Sequence, residues 1–214
     1  MGRSAARRMR RASDICDCYR LSYISQGPEK ARLEVTGAGD SIISIAQSLF
    51  TSWHVGVAAE AVTAALFARC GLDVSVQYGA NQPEYDLVVV RGERLLKVSV
   101  KGSKDGGWGL TQSYLEKVDY HGAIDIWSRR HKPRTVFSFV QFKNVEIDQL
   151  PRVYLATPSE IAQRLKETAK GRGDTILYER HSWSARAHAA ATTEEIPGAW
   201  RFSAERLQKL LDLA

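Results

Sequence analysis

Two apolar runs, Tyr85 to Val90 and Leu95 to Lys101, stand on either side of Arg91-Gly92-Glu93-Arg94, and no other feature constrains the fold of this chain as much. Both runs have the β-branched, alternating composition of strands, and a short glycine-containing break between them specifies a hairpin. If Gly92-Glu93 is the two-residue turn, Leu87 faces Val98 and Val89 faces Leu96 on one apolar surface. The opposite surface then places Asp86 across from Ser99, with Lys97 and Lys101 two residues to either side of that serine.

The elements around the hairpin follow from periodicity. Ile42, Ile43, Ile45, Ala46, Leu49 and Phe50 recur at helical spacing behind a possible cap at Asp40, and a second helix spans Val55 to Cys70, with Gly71 where a left-handed residue ends a helix. Leu72 to Tyr78 has strand alternation, residues 79–83 have loop chemistry, and the glycine-rich stretch from Lys101 to Gly109 is expected to be a flexible loop. A mixed helical stretch from Gln112 to about Arg130 precedes a buried strand over Thr135 to Phe142. Further strands are expected at Arg152 to Ala156 and Thr175 to Glu179, with helices at Ser159 to Ala169 behind Pro158 and at Ser203 to Leu213; Ala185 to Glu195 is expected to be irregular. The order of helix, three strands, helix and strand predicts an α/β fold with a central mixed sheet flanked by helices. It divides the chain into an Arg-rich, flexible extension over 1–40, a core over 41–145, and a C-terminal αβ addition over 146–214 packed on that core.

Composition narrows the class. At 214 residues, 44% hydrophobic and 25% charged, the chain is an ordinary folded protein, neither disordered nor fibrous. Arg3, Arg7, Arg8, Arg10 and Arg11 supply five of the net +6 before the first acid, Asp14, so the high isoelectric point describes a tail more than a nucleic-acid-binding face. No stretch is apolar enough to cross a bilayer or to form a secretory signal, and three cysteines suggest no disulfide framework; a cytoplasmic protein is expected. The histidines form no zinc pattern, and there is no nucleophile elbow, phosphate loop or dinucleotide fingerprint.

The chemistry lies in three residues. Glu60 is the only charged residue between Val55 and Ala68. A carboxylate among Val57, Ala61 and Ala64 is penalised by desolvation unless a cation or donors meet it; the alternative is a plain solvent-facing position. Asp86 follows about a quarter of a hundred residues later at the start of an apolar strand, and Lys101 ends the returning strand. Two acids can hold a divalent cation, and a lysine beside them can orient water and stabilise a phosphorane, which suits phosphodiester hydrolysis.

Gly56-x-x-x-Glu60, Tyr85-Asp86 and Val98-Ser99-Val100-Lys101 resemble the PD-(D/E)xK nuclease superfamily, in particular the branch of Holliday-junction resolvases and intron homing endonucleases. The resemblance covers about residues 53 to 105 and implies a restriction-endonuclease-like core, Mg²⁺ or Mn²⁺ as cofactor, and cleavage of branched or duplex DNA, with a homodimer possible. It assigns Glu60, Asp86 and the Val100 carbonyl to the metal and Lys101 to catalysis, with Tyr85 in place of the motif's proline. Ser99 stands where the superfamily has Glu, Asp or Gln. Three outcomes follow: Ser99 is a neutral ligand or holds a water, Glu84 or Glu93 supplies the missing charge, or the chain is an inactive nucleic-acid-binding or assembly protein that keeps the fold.

Weaker signals concern DNA contacts. Lys97 shares the face of Lys101. Lys104 and Trp108 lie in the glycine-rich stretch, where the tryptophan either stacks on a base or caps the core, and Arg130 belongs to a basic cluster, Arg129 to Arg134, suited to phosphates or to a solvated helix end.

Overall fold

The computed structural model describes residues 49–77, 84–116, 118–132 and 134–213. The extension over 1–40, most of the helix expected behind Asp40, and the loop at 79–83 lie outside the described residues.

Helix α1 runs Ser52–Arg69, opened by Thr51, whose side chain accepts from the His54 amide in a capping box. It ends at Gly71, with φ +76°. Strands β1 (Asp73–Val76), β2 (Leu87–Arg91) and β3 (Arg94–Ser103) form an antiparallel meander. The hairpin has the expected register, Leu87 facing Val98 and Val89 facing Leu96, with Arg91 and Arg94 flanking the turn. After β4 (Gly107–Gly109), helix α2 (Tyr120–Arg129) crosses over to β5 (Thr135–Gln141), which lies parallel to β3. Strand β6 (Arg152–Ala156) returns antiparallel to β5 and completes a mixed sheet of order β1-β2-β3-β5-β6.

Helices cover both faces. On one, Ala59 and Phe67 of α1 join Leu207, Leu210 and Leu211 of the last helix, α4 (Ala204–Asp212), over Leu87, Val89, Leu96, Val98 and Val100. On the other, Ile124 and Trp127 of α2 and Ile161 and Leu165 of α3 (Pro158–Glu167) pack on Phe137, Phe139 and Tyr154. Strand β5 sits between these layers and all seven of its residues are buried, as a central strand enclosed on two sides requires. Among the described residues no helix is long and apolar enough to cross a membrane.

Two expectations fail. The glycine-rich stretch is not a flexible loop: Gly107–Gly109 pairs with β7 (Ile176–Tyr178), and Asp105 ties the approach by accepting from the Ser103 hydroxyl at 2.7 Å. The irregular segment also yields a strand, because β9 (Thr193–Glu195) pairs with β8 (Arg180–Ser182). Three-residue strands carry too little periodicity to be legible before their partners are known.

Candidate active site

The site is assembled where α1 rides over the end of β3. The buried ridge of α1 is Val55, Ala59, Thr63 and Phe67, and β3 meets it at Gly102. A Cβ on Gly102 would stand 2.7 Å from Val55 Cγ1 and 2.8 Å from the Val55 carbonyl, so only glycine lets helix and strand come this close. Lower down, Thr63 Oγ1 bonds Ser138 Oγ of β5 at 2.9 Å in a fully buried pair. Glu60 follows Ala59 directly, about 100° round the helix from it, and is partly buried.

Asp86 lies just before β2. Its amide donates to the Val98 carbonyl at 2.8 Å, and Val98 is the residue that Leu87 faces, so two residues of this strand share one partner. This bulge departs from the regular register, in which Asp86 would oppose Ser99. It also aims the side chain: Oδ2 of Asp86 accepts from the Val100 amide at 2.6 Å. Burial raises the Glu60 carboxyl above its ordinary value, the negative charge of Asp86 raises it further, and the Lys101 ammonium pulls the other way. Glu60, Asp86 and Lys101 therefore share one electrostatic environment. Ser99 is 3% exposed on the face of Lys97 and Lys101, and Phe137 is its neighbour on β5.

The donor set suits a divalent cation in charge: two carboxylates that repel one another, opposed by one lysine, with the Val100 amide bonded to Asp86 and Lys101 next to it in the strand. Among the described residues no group of three or more His, Cys, Asp or Glu side chains converges on a metal position. Glu93 occupies the hairpin turn, at the far end of β2 from Asp86, and cannot supply the charge missing at position 99. Glu84 is nearer but engaged, since its Oε1 accepts from the Thr135 hydroxyl at 2.8 Å and the Lys132 amide at 3.1 Å.

One residue escaped the sequence argument as an individual. His131, grouped there only with a basic cluster, is half-buried between the rings of Trp127 at 4.6 Å and Phe137 at 4.9 Å. Its Nδ1 stands 3.8 Å from Glu84 Oε2, and neither ring nitrogen has a hydrogen-bond partner among the described residues. Burial lowers its pKa below the ordinary histidine value, Glu84 opposing and Lys101 and Arg130 adding to the effect. Only its place after α2, packed against the partner strand of β3, reveals it.

The residues expected to contact DNA are dispersed. Lys97 Nζ lies over the Tyr85 ring, 5.0 Å from its centroid. Lys104 donates to the Phe50 carbonyl. Arg130 donates to the Tyr114 hydroxyl at 2.7 Å. Trp108 corrects the base-stacking expectation: it is 3% exposed and packs on Phe139 at 5.2 Å, so it is core, and no base can lie on it. Beside Lys101, a cleft of about 280 Å³ opens between the start of α1 and the β3–β4 connection, lined by Ser52, Gly56, Lys101 and Lys104 among others.

No protein-family model matches the chain, and no curated protein matches it. Among solved structures the chain is similar to Hjc, a Holliday junction resolvase from Archaeoglobus fulgidus, with 16% identity and a TM-score of 0.34 over 58% of this chain and 88% of that one.

Proposed function

We propose that this protein is a metal-dependent endonuclease that hydrolyses phosphodiester bonds in DNA, of the resolvase-like PD-(D/E)xK type. The observation that supports this reading above all others is the convergence of Glu60, Asp86 and Lys101. An acid, a second acid and an amine drawn from a helix, a bulge and a strand end serve no common packing need.

In this reading Glu60, Asp86 and the Val100 carbonyl hold Mg²⁺ or Mn²⁺. A divalent cation there neutralises charge on the phosphate and lowers the pKa of a water. The chain does the rest. The Val100 amide fixes the Asp86 carboxylate in place, and Lys101 directs its N–H groups at the attacking water and at a non-bridging phosphate oxygen. Ser99 contributes a neutral hydroxyl where a third charge would strengthen cation binding. Incubation with Mg²⁺ or Mn²⁺ and branched, single-stranded or duplex DNA should give cleavage, and Lys101→Ala should reduce it by about a hundredfold or more. Activity that persists in Lys101→Ala removes the assignment.

Ser99 also favours a second reading, that of a protein which binds nucleic acid without cutting it, because only two carboxylates are left at the site. Ser99→Glu separates the two. Cleavage gained from an inert parent supports the binding protein, whereas an active parent ends that alternative.

A further inference from the structure

Helix α1 presents a second unusual feature beside the acid. Trp53 is 70% exposed, an uncommon state for a tryptophan on a helix, and its ring contact is a T-shaped one with His54 at 5.0 Å. Trp53, Gly56 and Glu60 are three and then four residues apart, so all three lie along one flank, with Trp53 about 10 Å from Glu60 along the axis at 1.5 Å per residue. Gly56 stands between them. Glycine is a poor helix former, and among the described residues nothing requires it here: a Cβ at Gly56 meets no described atom within 4 Å, and its φ is not left-handed. Gly102 is the contrast, a glycine that the packing demands. What Gly56 does is leave the wall of the cleft bare next to Lys101.

We propose that this flank seats a single DNA strand, with an unstacked base on Trp53, the sugar–phosphate passing over Gly56, and the strand continuing to the phosphate at Glu60 and Lys101. The placing of that phosphate rests on the endonuclease reading. The substrate class follows: in continuous duplex every base is stacked between its neighbours, so an exposed indole selects DNA with an unpaired or splayed nucleotide, as at a fork, flap or branch. The positive side chains of Lys101 and Lys104 at the cleft complement the backbone of such a strand.

Binding measured without metal tests the platform apart from catalysis. Fluorescence anisotropy in EDTA, with a labelled fork and a duplex of the same length, should show tighter binding of the fork. Trp53→Ala should weaken the fork by about tenfold, the order of one base stack, while Trp53→Phe retains most of the affinity. Gly56→Gln should also weaken it by filling the bare wall, and its melting temperature should hold or rise because glutamine is the better helix former. Fork affinity unchanged in both Trp53→Ala and Gly56→Gln overturns the proposal. So does a Trp53→Ala variant that loses a dimer in sedimentation but not its affinity, which would assign the patch of Leu49, Trp53 and Val57 to a second copy. The two readings fail separately: fork binding that depends on Trp53 without Mg²⁺-dependent cleavage sinks the endonuclease and keeps the platform, and cleavage with affinity indifferent to Trp53 does the reverse.

Discussion

Glu60 is held in a state that costs the fold. Its carboxyl is raised above 4.5 by burial and by Asp86, so the ionised form is disfavoured on folding. For an acid shifted upward the penalty is complete at neutral pH and is relieved as pH falls through the folded value towards 4.5. Glu60→Gln should therefore melt above the wild type at pH 7, with the gap closing on acidification, and on the endonuclease reading it should lose cleavage; thermal melts across pH check the first statement. Mg²⁺ or Mn²⁺ should raise the melting temperature of the wild type and leave that of Glu60→Gln nearly unmoved, by preferential binding to the folded state. His131 has the opposite sign. Its pKa lies below 6.5, so it contributes nothing above that pH, and stability is lost as pH falls from about 6.5 towards the folded value, because only the unfolded chain takes the proton. Between pH 7 and pH 5, His131→Phe should lose less stability than the wild type, and parallel curves would dissolve the argument. The sequence exposes Glu60 through its isolation among apolar residues. It hides His131, whose burial depends on Trp127 and Phe137 meeting across a helix–strand contact.

At the scale of elements, the contact between α1 and the sheet is where the site gains its geometry. Gly102→Ala should destabilise by about 1–3 kcal/mol, because the new methyl meets both a side chain and a backbone carbonyl of α1. Thr63→Val should cost about 1–3 kcal/mol by leaving the Ser138 hydroxyl buried without its partner, and adding Ser138→Ala should recover part of the loss; urea titration of the three variants checks both statements. The hairpin pairing of Leu87 with Val98 and of Val89 with Leu96 was legible because a two-residue turn leaves one alignment that buries every second residue. Its end was not legible. The bulge at Asp86 breaks that alignment, and a bulge has no period for a sequence to display. Which of its two alternatives Trp108 takes was open for a related reason: four glycines suggest a mobile loop until β7 arrives from nearly seventy residues away to pair with Gly107–Gly109.

For the whole molecule, the last helix belongs to the main hydrophobic core despite its place at the end of the described chain. Leu207, Leu210 and Leu211 close the face of the sheet that α1 leaves uncovered, and Leu210→Ala should cost about 2–5 kcal/mol, measurable as a lower denaturant midpoint. Residues after 145 likewise supply β6 of the central sheet. What the sequence determined unaided was local: the start of the last helix at Ser203, strand alternation, one hairpin register, and the oddity of a lone acid in an apolar helix. These depend on neighbours within one element, where periodicity and turn chemistry act. Tertiary structure alone decided that β3 and β5 run parallel, that Glu60 and Asp86 repel one another, that His131 is walled in, and that Gly56 faces open space while Gly102 does not. Each of those depends on the distance between segments far apart in the chain, and such distances are set by the packing of whole layers, to which no single stretch of residues testifies.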